Sequence, residues 1–208
     1  MSVYLPKHFA VEDQALLLAF MQAYSFVELI GLDEDGLPFV THLPVVVRQE
    51  GAAYIVEGHL ALANPQGHWL QTQGRALLVF RGPHAYVSPS LYEGEPAVPT
   101  WNYTAVHATG SFSLVEAPEE KDRLLKGLIA CHEPDYAATW RGFDEGYQQR
   151  MLKGIVGFHL TVDKLEGKFK LSQNRSAADR QRVQAAMAAG DTNQQSLAEW
   201  MTRIGIMT

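Results

Sequence analysis

The sequence contains a single cysteine, Cys131, among its 208 residues, so it cannot form an internal disulfide. A lone thiol fits a reducing compartment. No basic segment leads into an apolar stretch near residue 1, and no run reaches the roughly 18 apolar residues that a membrane helix needs. These absences predict a cytoplasmic protein that does not span a membrane.

The signatures of several enzyme classes are missing as well. The chain has no Walker loop, no Rossmann fingerprint and no G-x-S-x-G nucleophile elbow. Its eight histidines include no H-x-x-x-H pair, and no cysteine cluster accompanies them. The sequence therefore predicts no metal site, and no residue is assigned a catalytic role.

A basic excess is also lacking. The chain has 17 basic and 23 acidic residues, for a net charge of -6, and no long run of lysine or arginine. Proteins that grip DNA phosphates usually carry a basic surface. The charge balance argues against a dedicated DNA-binding domain.

What the sequence does contain is a pattern of strands with helices at the ends. Helical spacing of apolar residues predicts a first helix around residues 16–24. Six antiparallel-type strands are predicted at residues 25–32, 37–47, 52–56, 76–80, 104–115 and 155–163. Further helices are predicted at residues 60–71, 118–131, 144–153, 176–189 and 196–204, and a long loop at residues 82–99. This pattern indicates an α+β fold or a small barrel.

Four polar segments interrupt the pattern, at residues 41–44, at 58–65, at 83–89 followed by 99–103, and at 168–175. Each alone has an ordinary structural explanation: an edge strand, a strand-to-helix turn, a cover over the sheet and a helix cap. The second segment has a functional interpretation too. If Gly58 ends a strand, the amides that follow it open a helix, and free amides at a helix start suit a phosphate.

Taken together and in order, these segments resemble the PaiB family of FMN-binding negative transcriptional regulators. The resemblance extends over nearly the whole chain up to about residue 182. The matching motifs are YLPKHF at 4–9, THLP at 41–44, GHLA at 58–61 with NP at 64–65, GPHAYVSP at 82–89, VPTWNY at 98–103 with VH at 106–107, IVG at 155–157 and KLSQNR at 170–175.

The resemblance implies an α+β fold, a six-stranded antiparallel split β-barrel with peripheral helices and a C-terminal helical segment, similar to pyridoxamine-phosphate oxidase. It implies a split-barrel domain at residues 1–175, and a helical appendage at residues 176–208 that packs on the barrel or on a dimer partner. It further implies a homodimer with FMN in a cleft between the subunits, and negative regulation of sporulation and degradative-enzyme genes. DNA enters as a partner only through this resemblance.

The resemblance also implies which residues contact FMN. The strand with Thr41, His42 and Leu43 would lie along the isoalloxazine ring, and His59, Ala61 and Asn64 near the ribityl phosphate. Lys170, Ser172, Gln173 and Asn174 would complete the pocket from the same or the other subunit, and Arg175 would serve the phosphate or the helix start. Leu62 departs from the family, which often has at this position an arginine suited to bidentate phosphate binding.

Two alternatives accompany this interpretation. The first is a flavin-dependent oxidoreductase, in which the flavin carries the chemistry and the protein orients it. His42, Tyr103 and His107 are then the candidate proton donors or acceptors. The second is a haem-binding split barrel, which the eight histidines make conceivable.

Overall fold

A computed structural model of the protein describes residues 2–93 and 96–206. Its strands are β1 (Ala10–Val11), β2 (Phe26–Leu32), β3 (Pro38–Pro44), β4 (Val46–Glu50), β5 (Ala53–Ala61), β6 (Arg75–Val87), β7 (Thr100–Val115) and β8 (Ile155–Lys170). Its α-helices are α1 (Gln14–Ala23), α2 (Gln66–Gln73), α3 (Pro118–His132), α4 (Tyr136–Gly142), α5 (Glu145–Lys153), α6 (Ala177–Ala188) and α7 (Thr192–Arg203).

All eight strands belong to one antiparallel sheet, in the order β3-β2-β6-β7-β8-β5-β4 with β1 on β8. The predicted α+β class is confirmed, but the count of six strands is wrong. One extra strand arises because the stretch predicted as a single strand at 37–47 breaks at Val45 into β3 and β4. The other is β1, a two-residue strand that no pattern in the sequence indicated.

The sheet is rolled, although its hydrogen-bonded path stays open. In a flat sheet the two ends of the path, β3 and β4, would lie about 29 Å apart at a spacing of about 4.8 Å per strand. Val45 alone joins them along the chain, and one residue spans at most about 3.6 Å. The sheet must therefore curl until its two edges meet at Val45, and no pairing between β3 and β4 is found in the described part of the chain.

The inner face of the rolled sheet forms the core, and the C-terminal helices pack into it. Trp200 of α7 lies with its ring 5.2 Å from that of Phe20 and 5.3 Å from that of Phe169. Its Nε1 donates to the Tyr24 hydroxyl at 2.9 Å. The C-terminal helical segment thus packs on the sheet of its own chain, and the domain boundary after residue 175 stays a prediction.

Four strands run further than the sequence indicated, among them β7, which begins at Thr100 and not at residue 104. β5 continues past Gly58, where an added Cβ would lie 2.8 Å from the Phe158 ring, so this glycine makes room inside a strand. β6 passes through Gly82 by means of a β-bulge between Arg81 and His84. β8 reaches Lys170 after a second irregularity opposite β7. Among the described residues, no helix is both long and apolar enough to cross a bilayer.

Candidate functional site

One edge of the sheet is open at β3, which among the described residues pairs only with β2. The amide of Val45 donates to the carbonyl of Ser25 at 2.9 Å. Residues 25 and 45 are therefore a hydrogen-bonded pair, and this fixes which of the pairs between β2 and β3 are hydrogen-bonded. Because hydrogen-bonded and non-hydrogen-bonded pairs alternate in an antiparallel ladder, the N–H and C=O groups of Val40 and His42 point away from β2. This edge therefore presents backbone donors and acceptors to a ligand.

Side chains from the start of α2 reach the open edge. Asn64 donates from Nδ2 to Thr41 Oγ1 at 2.9 Å, and its Oδ1 accepts from the Gln66 amide at 3.0 Å. Gln66, which is fully buried, donates from Nε2 to the carbonyls of Leu29 and Phe39 at 3.0 Å. Two predicted site residues, Thr41 and Asn64, are thus in direct contact.

The backbone after Gly58 does not open a helix. β5 pairs with β8 as far as Ala61, and the Leu62 amide then donates to the carbonyl of Gly154 at 2.9 Å. α2 begins only at Gln66. The predicted row of free helix-start amides after Gly58 is therefore wrong, because these residues continue a strand. Leu62 is 64% exposed.

Two polar atoms near this end of β5 are buried without a hydrogen-bond partner in the described part of the chain, His59 Nδ1 and Gln66 Oε1. Burial also lowers the pKa of His59, which favours the neutral imidazole. An unsatisfied buried polar atom costs about 1–3 kcal/mol, and such atoms commonly mark a water, an ion or a ligand. Of the two, only His59 Nδ1 belongs to a partly exposed residue, so it is the one that a ligand at the end of β5 could approach.

A groove runs along the outer face of the sheet beside β3. It consists of two hollows of about 360 and 400 Å³ that share Arg81. Ligand pockets begin at about 300 Å³. The smaller hollow is lined by Val79, Arg81, Gly82, His84, Trp101, Tyr103, Thr104 and Ala105. The larger is lined by Ala23, Tyr24, Ser25, Phe26, Glu28, His42 and Arg81.

The end of β8 carries a second group of predicted residues. Lys170 donates from Nζ to Thr100 Oγ1, and burial, followed by the charge of Lys168, lowers its pKa. Ser172 is buried in a left-handed conformation with φ of 67°. Its Oγ accepts from Nδ2 of the fully buried Asn102 at 2.9 Å.

Lys170 borders the groove, since it pairs with the groove residue Tyr103. Beyond it the loop turns on itself: Gln173 Oε1 accepts from the Leu171 amide at 2.7 Å, and its Nε2 donates to the carbonyl of Phe169. Gln173 therefore shapes this loop.

The remaining predicted residues lie as follows. Asn174 is exposed. The guanidinium of Arg175 lies 4.1 Å from the centre of the Tyr92 ring. Leu43 is 4% exposed and packs in the core, and its N–H and C=O groups point toward Val27 of β2. Ala61 is exposed at the end of β5.

The structure keeps the two predicted groups apart within one chain. His59 pairs with Gly157 near the start of β8, whereas Lys170 lies thirteen residues further along the same strand. A straight strand of that length spans roughly 43 Å. Of the first group, His42 lines the groove that Lys170 borders, whereas Asn64 and His59 do not line it.

Sequence reasoning missed three residues of the site: Glu28, Arg81 and Asn102. The segment that contains Asn102 belonged to the matching motifs, but the residue itself was given no role. Arg81 was missed because Gly82 and Pro83 indicate that the strand ends just before them. No group of three or more potential metal ligands occurs within residues 2–93 and 96–206.

Comparison with known proteins places this geometry in a family. Residues 3–164 match the family described as "Putative FMN-binding domain". The chain is 37% identical over 182 residues to the protease synthase and sporulation protein PAI 2 of Bacillus subtilis (strain 168), with 85% of each chain covered.

Solved structures share the fold at low identity. The flavocytochrome Anf3 of Azotobacter vinelandii has a TM-score of 0.61 and 18% identity, with 80% of this chain and 72% of that chain covered. The FAD and haem binding protein of Mycobacterium smegmatis has a TM-score of 0.59 and 16% identity, with 78% and 73% covered. The chain therefore belongs to the PaiB-like family of FMN-binding split-barrel proteins, whose cofactor is FMN.

Proposed function

We propose that the protein binds FMN in a site that two copies of the chain build together, and that it acts as a homodimer. The observation that supports this best is the open edge of β3, where Thr41 contacts Asn64 and His42 lines a groove of ligand size. When bound, FMN supplies a redox-active tricyclic ring and an anionic phosphate.

In this proposal the ring lies along the edge of β3. His42 contacts it through backbone and side chain, Thr41 through its side chain, and Leu43 supports the strand from the core. His59, Ala61 and Asn64 hold the ribityl phosphate at the junction between β5 and α2, where His59 Nδ1 is buried without a partner among the described residues.

The second copy explains how the two separated groups serve one cofactor. Exposed apolar side chains cover the outer face of the β2–β3 hairpin, namely Phe26, Leu32 and Val40. A twofold interface uses the same patch on both subunits. Such an interface brings the end of β8 of one copy to the β3 edge of the other, so that Lys170, Ser172, Gln173, Asn174 and Arg175 complete the pocket. Lys170 and Arg175 then supply the positive charge that the family's arginine would give at the position of Leu62.

We further propose that the protein works in the cytoplasm and that any control of sporulation or degradative-enzyme genes is indirect. α6 and α7 are joined by only three residues, a spacing seen in helix-turn-helix motifs. However, α7 buries Leu197 and Trp200 in the core, and its exposed face carries Glu199. The guanidinium of Arg203 lies 4.5 Å from the Trp200 ring centre. Such a face is poorly suited to DNA phosphates.

Titration of FMN with the protein, followed by flavin fluorescence, tests the proposal. Wild type is expected to quench the fluorescence, and Thr41→Val to bind about fivefold more weakly, since one hydrogen bond is worth about 1 kcal/mol. Thr72→Val is the matched control, because the Thr72 hydroxyl donates to the carbonyl of His68 within α2. Wild-type protein that leaves FMN fluorescence unchanged would rule out the proposed function.

A further inference from the structure

A carboxylate in the larger hollow of the groove lacks a full set of partners. The side chain of Glu28 is 18% exposed, and its Oε2 is buried with no hydrogen-bond partner within the described ranges. Arg81 Nη2 lies 3.7 Å from Glu28 Oε1, which is longer than a hydrogen bond. Because Oε2 is buried, Oε1 is the oxygen through which a donor in the hollow can reach this carboxylate, and Arg81 does not hydrogen-bond it.

Three functional groups converge on that hollow. Glu28 on β2 pairs directly with His42 on β3, and both side chains are on the outer face of the sheet. Arg81 on β6, whose side chain is 67% exposed, lines the same space. The hollow thus presents an acceptor at Glu28 next to a donor at Arg81, beside the open backbone edge of His42.

The charges of Glu28 and Arg81 limit the class of ligand that the hollow can bind. A simple anion would be repelled by Glu28, and a simple cation by Arg81. The pair instead suits an uncharged edge on which a donor stands next to an acceptor, because each group then finds its complement. An imide edge, with an N–H between two carbonyl groups, has this pattern.

We propose that Glu28 and Arg81 bind the imide edge of the flavin ring: the Glu28 carboxylate accepts from ring N3–H, and Arg81 donates to a neighbouring ring carbonyl. This inference rests on the proposed FMN site and goes beyond it by fixing which edge of the ring enters the hollow. It assigns positioning roles to two residues that the family motifs do not include.

The direct test compares FMN with 3-methyl-FMN, which lacks the N3–H donor, by fluorescence titration. Wild type is expected to bind FMN at least tenfold more tightly than the methylated analogue, since a hydrogen bond to a charged group is worth about 1.5–3 kcal/mol. Glu28→Ala is expected to bring this ratio close to one. Glu34→Ala, in the exposed turn between β2 and β3, is the control and keeps the wild-type preference.

A second variant keeps the inference testable if Glu28→Ala does not fold. Glu28→Gln preserves the shape of the side chain and removes its charge. A negative charge beside the ring disfavours the more electron-rich reduced flavin, so the midpoint potential of bound FMN is expected to be more positive in this variant than in wild type. An unchanged potential, or equal affinity of wild type for the two flavins, would overturn the inference.

These outcomes separate the two proposals. If wild type binds neither flavin, the proposed function itself fails. If it binds both equally well, FMN binding stands and only the role of Glu28 and Arg81 is wrong. Uridine monophosphate carries the same imide without the tricyclic ring. Displacement of FMN by an equal concentration of this nucleotide would overturn the assignment to the flavin, and its failure to compete supports it.

Discussion

At the scale of single residues, Glu166 links the outer sheet face to the N-terminal segment. Its Oε2 accepts from the Ser2 amide at 2.8 Å and from the Ser2 hydroxyl at 2.7 Å, and it lies 3.1 Å from Lys164 Nζ. Burial alone would raise the pKa of Glu166. The hydrogen bonds from Ser2 and the charge of Lys164 outweigh it and lower the pKa to about 2.

This shift makes the protein sensitive to acid in a defined way. A carboxyl with a lowered pKa in the folded state stabilises the fold above its unfolded pKa of 4.5 and loses that contribution as pH falls toward about 2. We expect the free energy of unfolding of wild type to fall more steeply over this interval than that of Glu166→Gln, as measured by urea denaturation at a series of pH values. Equal slopes in the two proteins would contradict the role of Glu166, and Glu34→Gln should retain the wild-type slope.

The sequence could indicate some site residues and not others. Thr41 and Asn64 stand in recognisable motifs, and they do meet. Glu28 looks like any polar residue of a half-exposed strand. That its carboxylate lies near Arg81 and lacks a hydrogen bond follows from the pairing of β2 with β6, two strands far apart in sequence.

At the scale of elements, the pairing of β7 with β8 depends on a glycine. A Cβ on Gly110 would lie 2.1 Å from the carbonyl oxygen of Thr161. Gly110→Ala is therefore expected to lower the free energy of unfolding by about 1–3 kcal/mol. Gly127→Ala in α3 is the matched control, because nothing lies within 4 Å of its added Cβ. It should stabilise the protein by roughly 0.5–1 kcal/mol. Urea denaturation measures both, and a Gly110→Ala variant as stable as wild type would contradict this account.

The anchoring of the C-terminal helices gives a second prediction. Trp200 packs on Phe20 and Phe169, so Trp200→Ala is expected to cost about 3–5 kcal/mol of stability. Tyr24→Phe removes only the hydroxyl that accepts from Trp200 and should cost about 1 kcal/mol. Thermal or urea unfolding distinguishes the two. Near-equal effects would mean that the hydrogen bond, and not the aromatic packing, holds α7 in place.

The sequence predicted most elements but not their ends. Glycine at position 58 and the Gly82-Pro83 pair read as strand terminators, because no local pattern shows that the glycine avoids Phe158 or that a bulge carries β6 onward. The helix α4 was missed for a related reason. It is seven residues long, too short for a clear apolar period.

At the scale of the whole molecule, the rolled sheet explains why one chain does not complete the predicted site. His59 and the start of α2 lie near the start of β8, and the loop after β8 follows the far end of that long strand. In the proposed homodimer a second copy joins these two regions, and the exposed apolar face of the β2–β3 hairpin is the surface that it packs against. Cofactor binding and dimerisation are then two aspects of one interface.

Sedimentation velocity of the protein mixed with FMN, recorded both by protein absorbance and by visible flavin absorbance, tests this account most directly. We predict that the flavin signal moves with a species of twice the 23.1 kDa chain mass and corresponds to one FMN per chain. Flavin that stays behind as a free small molecule, or that moves with a single chain, would contradict it.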